Sequence, residues 1–206
     1  MDIAAGILLG IGLSASSGFR VFVPLLFTSI ASSMGYLQLS PGFEWMGSWI
    51  ALVAFATASA VEIIAYYIPW LDNALDTISG PLAMIAGTVL TASFLTDVSP
   101  LVQWTLGIIV GGGTAGIVKV GASAARLTST ATTGGMANAV VSTTENILSI
   151  VMSIFAFLLP IITASIVILI IVYLFRKFSE LKKLRWKFFS EEEEEEEEET
   201  KTITEK

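Results

Sequence analysis

Charged side chains inside apolar stretches are the residues of this sequence that could do chemistry. An ionised group at the centre of a bilayer costs about 2.5–3.5 kcal/mol even on a forgiving insertion scale, so such groups pair away from lipid and are functional candidates. Five of them lie within or at the edge of apolar segments, namely Arg20, Glu62, Lys119, Arg126 and Glu145. We expect these side chains to form a polar path for a substrate or ion.

Glu62 is the sharpest candidate among the five. It lies in the apolar run 54–64, so it must face the interior of the bundle. Its carboxylate could hold a proton or a cation, or it could form a structural ion pair with Arg20 or Arg126. Glu145 follows three hydroxyl residues, and a helix-start role is an equal alternative for it because carboxylates favour helix N-termini.

Asp72 and Asp76 form a second candidate pair. Their i, i+4 spacing puts both carboxylates on one face of a helix, which predicts a candidate cation site. Two oxygen ligands do not specify a metal, and Mg²⁺ or Ca²⁺ would need more oxygens from elsewhere. Trp70 indicates a membrane interface, so a solvated helix start is the alternative for both residues.

The absent residue types narrow the chemistry further. The chain has no Cys and no His, which excludes disulfides, thiolate metal sites, Cys nucleophiles and Ser-His catalysis. Asp and Glu could still act as acid and base, so an intramembrane enzyme is disfavoured and not excluded. Lys119 is followed by Val120, whereas a phosphate-cradling loop needs Ser or Thr there. We expect no cofactor and no nucleic-acid partner.

The elements that position these side chains must lie in a membrane. The 206 residues are 54% hydrophobic and 14% charged, with a mean hydropathy of +0.78, whereas ordinary soluble domains carry about 25% charged residues. Helices satisfy their own backbone in lipid, so the sequence predicts an all-α, polytopic transmembrane helix bundle. The apolar stretches that would form it lie at 3–13, 19–35, 49–71, 81–96, 101–122 and 142–175.

Two of these stretches predict broken or re-entrant helices. The segment 3–13 is too short to cross a bilayer, and a Ser- and Gly-rich run leads from it to Arg20 and Pro24. As one helix, the segment 142–175 would be about 51 Å long, which exceeds a hydrocarbon core of about 30 Å. It contains Pro160, so it must kink or form two helices. Kinks that serve packing alone are the alternative reading of both features.

Glycines predict close helix packing in the second half of the chain. Gly107 and Gly111, like Gly112 and Gly116, have the G-x-x-x-G spacing that lets another backbone approach closely. The polar stretch 128–138 that follows is predicted to be an exposed or a pore-facing loop, and in the second case its Asn138 belongs to the path.

A candidate internal repeat relates the two halves. Segments 5–20 and 115–126 each combine Ala-Gly-Ile, Ser-Ala and an arginine, and a lone glutamate follows each on a later helix. Duplicated halves with interrupted helices are typical of transporters. The gaps differ between the two copies, so chance similarity is the alternative.

The charge distribution predicts three regions: a transmembrane domain at 1–175, a basic amphipathic juxtamembrane helix at 176–190 and a disordered acidic tail at 191–206. The basic helix would bind anionic lipid through Lys177, Lys182, Lys183, Arg185 and Lys187. Its position predicts a cytoplasmic C-terminus. The N-terminus lacks a basic n-region, so the first apolar segment is expected to persist in the mature protein. We expect a protein of the cytoplasmic membrane of a prokaryote, with a homo-oligomer as an option.

One run of residues also carries a likeness to a known family. At 62–76 the chain resembles an uncharacterised membrane family, Domain of Unknown Function 4126, and the likeness covers about residues 5–160. Where that family has a basic residue before Ile-Pro and an Arg before the later Pro, this chain has Tyr67 and Gly80. The resemblance implies a residue pattern and supplies no activity. It is also carried by Gly18-Phe19-Arg20, Pro24, Pro81, Gly87, Arg126, Thr133-Gly134-Gly135, Asn138, Ser142 and Glu145.

The leading hypothesis is a small transporter or channel-like protein with a path of paired charges between broken helices. Its substrate, a small ion or solute, is open. The alternative is a membrane scaffold or lipid-handling protein whose buried charges are structural pairs. Removing one partner of a buried ion pair costs about 3–5 kcal/mol, so the second hypothesis predicts strong destabilisation without any dependence on a substrate.

Overall fold

Helices and the turns between them make up all of the described chain. The computed structural model describes residues 2–176 and residue 179, and these contain no strand. The described residues up to Val167 form one compact unit, and this unit holds the buried charges. The helices are α1 (Ile3–Phe19), α2 (Phe22–Ser33), α3 (Trp49–Ala65), α4 (Pro69–Phe94), α5 (Pro100–Leu106), α6 (Gly113–Thr133), α7 (Asn138–Leu158) and α8 (Pro160–Arg176).

Three helical stretches within the described residues are long and apolar enough to cross a membrane. They are Ala74–Phe94, Pro100–Thr133 and Asn138–Leu158. The second is continuous because a π-helical segment, Gly107–Gly112, joins α5 to α6. The prediction of an all-α helix bundle is confirmed, and these three stretches have the length and composition of membrane spans.

The first helix lies at the centre of the bundle. Between Gly6 and Gly18 it is buried on nearly all sides, including three serines with no exposed surface, Ser14, Ser16 and Ser17. Ser14 Oγ donates to the carbonyl of Gly87 on α4 at 2.9 Å, and Ser16 Oγ donates to that of Ser149 on α7 at 2.8 Å. We call these three serines and their partners the serine seam. It satisfies hydroxyls that would otherwise be costly inside a bundle.

The contacts along α1 establish that α1 and α2 form a helical hairpin. Gly6 packs against Phe94 and Ser17 against Ala83, so α1 runs antiparallel to α4, and the short turn after α3 makes α3 antiparallel to α4 as well. The start of α2 lies beside the end of α3, while Ser29 near the end of α2 donates to Met46 before α3. Helix α2 therefore runs back along α1, and the tip of this hairpin is at Arg20.

Both predicted helix breaks are confirmed, with one change in detail. Arg20 has an extended backbone (φ −138°, ψ 122°) between α1 and α2, and α7 ends at Leu158, two residues before Pro160. The Ser- and Gly-rich run 14–18 is helical and lies inside α1, because its hydroxyls bond to carbonyls of neighbouring helices. Pro24 lies in the first turn of α2, where its missing N–H needs no partner.

The predicted glycines lie at the closest helix contact. Gly107, Gly111 and Gly112 pack against Thr88 and Gly87 of α4, where an added Cβ would collide with backbone or Thr88 atoms. Gly116 packs against Met84 of the same helix at 3.2 Å from the position of an added Cβ. Small residues let the π segment and α6 approach α4 at backbone distance, as the G-x-x-x-G spacing predicts.

The polar stretch 128–138 is mostly helix. Helix α6 continues to Thr133, and Gly134 ends it in the left-handed conformation (φ 63°) that glycine adopts without steric cost. The prediction of a loop over the whole stretch is wrong: only 134–137 form the turn, because the threonine hydroxyls bond to carbonyls one turn earlier in α6. Arg126 lies inside a continuous helix, whereas Arg20 lies at a break, so the two halves of the candidate repeat differ locally.

The basic amphipathic helix and the acidic tail fall outside the described residues, apart from Arg176 and Ser179. The five basic side chains predicted to bind anionic lipid lie there as well, and that role stays a prediction: Lys177, Lys182, Lys183, Arg185 and Lys187.

Candidate functional site

Charged side chains from three helices and from the break between α1 and α2 meet at the end of the bundle where the α1–α2 and α3–α4 hairpins turn. We call the following group the charge cluster: Arg20, Asp72, Asp76, Lys119, Arg126 and Glu145. All except Asp76 are buried. Arg20 follows the end of α1, the two aspartates lie near the start of α4, and the other members lie on α6 and α7. The tertiary fold and no local sequence motif therefore assembles the cluster.

Arg20 donates to three acceptors on α7. Its side chain is fully buried, and its Nη1 donates to Glu145 Oε2 at 2.8 Å. Its Nε donates to Asn146 Oδ1 at 2.5 Å, and Nη2 donates to the carbonyl of Ser142 at 3.1 Å. Because α1 stops at Phe19, the extended backbone of Arg20 can project the side chain towards α7, which supplies all three of these acceptors.

Arg126 links the aspartates of α4 to Glu145 of α7. Its Nη1 donates to Asp72 Oδ1, and its Nη2 donates to Glu145 Oε2. Asp76 Oδ2 lies 3.4 Å from Arg126 Nε. Asp72 is in the first turn of α4, which Pro69 begins, so the start of α4 brings both aspartates to α6.

Lys119 completes the cluster two turns before Arg126 on α6. Its Nζ donates to Asp76 Oδ1 at 2.8 Å. The Asp76 side chain is 24% exposed, whereas that of Lys119 is 6% exposed. The cluster is therefore sealed around Arg20 and reaches the protein surface at Asp76.

The ring of Tyr66, which follows α3, lies at the centre of the basic groups. Its centroid is 3.9 Å from the guanidinium carbon of Arg20 and 4.7 Å from that of Arg126. Lys119 Nζ is 5.9 Å away. Cation–π attraction over a desolvated ring is worth about 2 kcal/mol, so Tyr66 offsets part of the repulsion between the neighbouring guanidinium groups.

Glu62 lies beside the cluster and has a different partner. Its Oε1 accepts the backbone N–H of Val21 at 2.8 Å, and its Oε2 accepts that of Phe22 at 3.0 Å. Those N–H groups are at the start of α2, where a helix leaves donors without internal partners and where a carboxylate is favourable. Within the described chain, no basic side chain lies at ion-pair distance from Glu62, so the predicted pairing with Arg20 or Arg126 is wrong.

A cleft opens between α3 and α4 and ends at Glu62. Its volume is about 570 Å³. We call it the α3–α4 cleft. Most of its walls are apolar, and its inner end includes Glu62 and Tyr66. The lining residues at the outer rim include Val61 and Ile78, which are 60% and 52% exposed. Because these large apolar side chains face outward from a membrane protein, the cleft opens towards lipid.

Asp72 and Asp76 both carry basic partners. Arg126 bonds to Asp72 and Lys119 bonds to Asp76, and the described residues contain no group of three or more acidic side chains arranged for a metal ion. The structure gives no support to the candidate cation site at this pair. The i, i+4 spacing does put both carboxylates on one face, and that face meets α6.

Two predictions about individual residues are wrong. Asn138 is not part of the cluster: it begins α7, and its Nδ2 donates to Thr130 Oγ1 at 3.1 Å. Glu145 is in the third turn of α7, which starts at Asn138, so it has no helix-start role. The α6–α7 turn lies two helical turns beyond the cluster, which separates Asn138 from the charges.

The sequence analysis missed Tyr66 and Asn146. A periodic signal for Asn146 exists, because one buried stripe of α7 carries Ser142, Glu145, Asn146, Ser149 and Ser153. Polar residues at that spacing on an otherwise apolar helix predict a face that meets other polar groups. Tyr66 has no comparable signal, since an aromatic residue at a helix end is common at membrane interfaces.

One oxygen of the cluster is left without a partner. Glu145 Oε1 is buried and has no hydrogen bond among the described residues, while Oε2 accepts from both Arg20 and Arg126. A buried unsatisfied acceptor is costly unless it serves a function. This oxygen can accept a proton or a hydrogen-bond donor.

Comparison with known proteins gives one match. The sequence model of a family described as Domain of unknown function (DUF4126) matches residues 7–180. No curated protein and no solved structure matches this chain.

Proposed function

Since the chain belongs to the DUF4126 family, which is defined without an activity, we propose a function from its own site. The protein is a small transporter or channel-like protein of the membrane. The charge cluster and Glu62 form the path of a small ion or solute, and Arg20, Lys119, Arg126 and Glu145 carry the path's charges.

The observation that carries this proposal is the coincidence of three features at one level of the bundle. A helix is broken at Arg20, ionisable side chains from several helices are concentrated around it, and an open cleft ends beside them at Glu62. Interrupted helices with exposed helix ends are how transporters build binding sites within a membrane. A purely structural ion-pair network would need no cleft.

The unsatisfied Glu145 Oε1 adds a second argument. The carboxylates of Glu145 and Glu62 lie on either side of the Arg20 break, since Glu145 bonds to Arg20 and Glu62 bonds to the next two backbone N–H groups. A proton or cation that moved between these acids would pass the hairpin tip. Asp76, the exposed member of the cluster, gives such a path an end at the protein surface.

The experiment is ion and proton flux in proteoliposomes that contain the purified protein, with pH- and potential-sensitive dyes. We expect flux in the wild type and its loss in Glu62→Gln, because the amide removes the charge and keeps nearly the same shape. Glu44→Gln is the matched control: it makes the same change at an exposed residue that bonds only locally, to the N–H of Gly42. Unchanged flux in Glu62→Gln would exclude Glu62 from the path.

A scaffold or lipid-handling role is the second candidate, and one observation favours it. Each basic side chain of the cluster has at least one acidic partner at ion-pair distance, which is the arrangement that a structural network requires. The same vesicles therefore carry a fluorescent lipid for a scrambling assay. Absence of ion and proton flux together with lipid scrambling would favour the second candidate over the first.

A further inference from the structure

Glu62 differs from the other acids of the site in its counter-charge. Asp72, Asp76 and Glu145 each have a basic side chain at ion-pair distance. Glu62 accepts two backbone N–H groups, and none of the described basic residues pairs with it. Counted as ionised, the charge cluster is neutral, so Glu62 adds a single negative charge. Two N–H groups at the start of α2 stabilise that charge, and no described basic side chain lies at ion-pair distance from it.

That charge lies at the inner end of the α3–α4 cleft. Among the described residues, the cleft lining contains this one carboxylate and no basic side chain. Its other walls are mainly apolar and include Ala54 and Ala58 on α3 and Leu71 and Leu75 on α4. The small alanines widen the cleft, and its volume of about 570 Å³ falls in the usual range for small-molecule sites, about 300–1,000 Å³.

The apolar walls of the cleft and the Glu62 carboxylate favour different parts of a ligand. The apolar walls favour an apolar body, since burial of apolar surface gains about 25 cal/mol per Å². The buried carboxylate favours a positive charge, because an uncompensated ion in a low-dielectric site is costly. An acyl chain would satisfy only the walls, and a small hydrated cation would satisfy only the carboxylate.

We infer that the α3–α4 cleft binds an amphiphilic organic cation, whose apolar body lies between α3 and α4 and whose cationic centre lies at Glu62. This inference rests on the proposed function and names its substrate class. Entry is lateral, from the lipid, because the rim of the cleft carries the exposed apolar side chains of Val61 and Ile78.

The test is a binding measurement on the purified full chain in nanodiscs made of a zwitterionic lipid. The probes are tetraphenylphosphonium and tetraphenylborate, two ions of nearly equal size and apolar surface and of opposite charge. Equilibrium dialysis gives the bound amount of each, with empty nanodiscs as the blank for partitioning into lipid. We expect saturable binding of the cation only.

Two variants assign the binding to the cleft. Ala58→Phe fills the cleft without touching a charge and should abolish saturable binding. Ala56→Phe makes the same change two residues earlier on α3, outside the cleft lining, and should leave binding unchanged. Glu62→Gln should weaken cation binding by about tenfold or more, as expected when one partner of a buried charge pair is lost. Thermal unfolding of each variant confirms that the bundle is intact.

Two results would overturn the inference. Equal binding of both probes would mean that the cleft selects for apolar surface alone, as an acyl-chain site would. Cation binding that persists in Ala58→Phe would locate the ligand elsewhere. This test measures binding and not flux, so its failure can be told apart from failure of the proposed function. If flux depends on Glu62 but no cation binds, the path is retained and amphiphilic cations are excluded as its substrate.

Discussion

The serine seam, on α1, α4 and α7, and the charge cluster, at Arg20 and on α4, α6 and α7, bury polar groups by different means. In the serine seam, neutral hydroxyls meet carbonyls and other hydroxyls at 2.7–3.4 Å. In the charge cluster, guanidinium, ammonium and carboxylate groups share partners, and Glu145 Oε1 has none among the described residues. The α3–α4 cleft lies beside the second region, at Glu62.

The buried hydroxyls of the seam serve helix packing, whereas the buried ions of the cluster are the candidates for function. A buried hydroxyl that bonds to a nearby carbonyl is satisfied locally, so the seam can hold α1 in place and tolerate the loss of one member. An ion in the cluster depends on counter-charges from several helices, so each loss leaves another ion exposed to low dielectric. Such an arrangement is expensive, and it is found where charge itself is used.

The largest effect is expected when the cluster loses Arg126, the member with the most acidic partners. Arg126→Met should lower the free energy of unfolding by about 3–5 kcal/mol, because it leaves Asp72 without its partner and removes one of the two donors to Glu145. The midpoint of thermal unfolding in detergent measures the change. Arg176→Met is the matched control, since Arg176 is exposed at the end of α8. Equal shifts in the two variants would contradict the structural importance of the cluster.

An intermediate effect is expected at the glycine contact, which holds α4 in the position that the cluster requires. Gly111→Ala should destabilise by about 1–3 kcal/mol, because the added Cβ would meet the Gly87 carbonyl and Thr91 Oγ1 and force the helices apart. Gly113→Ala, two residues later, meets nothing within 4 Å and should be neutral or gain up to about 1 kcal/mol from helix propensity. Equilibrium unfolding gives the free energy of unfolding of both variants. Equal free energies would exclude close packing at Gly111.

The smallest effect is expected in the serine seam. Ser16→Ala should cost about 0.6 kcal/mol, the average for a hydrogen bond between membrane helices, even though Ser16 Oγ has three close partners on α7. Ser165→Ala, an exposed serine that bonds only to its own helix, is the control. If Ser16→Ala lowered the free energy of unfolding as much as Arg126→Met does, the loss of a buried neutral group and that of a buried ion would have the same effect here. The functional argument, which rests on that difference, would then fail.

Much of the fold could be predicted from the sequence, because its signals are local. The composition and helix-length arithmetic predict a membrane helix bundle, and Pro160 predicts the break after α7. The glycine spacing predicts a close helix contact, which the structure places against α4. The run 14–18 was harder: its serines indicate a loop by composition, yet it is helical because partners on α4 and α7 satisfy the hydroxyls.

The sequence predicts which residues belong to the candidate site better than it predicts which of them pair. Arg20, Lys119, Arg126 and Glu145 stand out because charge in an apolar segment is costly wherever it lies. Their partners depend on which helix faces which: Asp72 meets Arg126 across 54 residues of chain, and no spacing rule links them. Asn138 was included because its segment is polar. It lies beyond the cluster because α6 continues past Arg126 to Thr133 and α7 begins about two turns before Glu145.

The sequence by itself determined that this is an all-α membrane protein with costly charges inside it, since hydrophobicity and charge are properties of each residue. Only the tertiary structure decided that Glu62 caps α2, that Tyr66 lies under two guanidinium groups, and that a cleft ends beside the one described buried acid that has no basic side chain at ion-pair distance. The physical reason is that pairing energy depends on distance between groups far apart in the chain, and that distance is set by how helices pack.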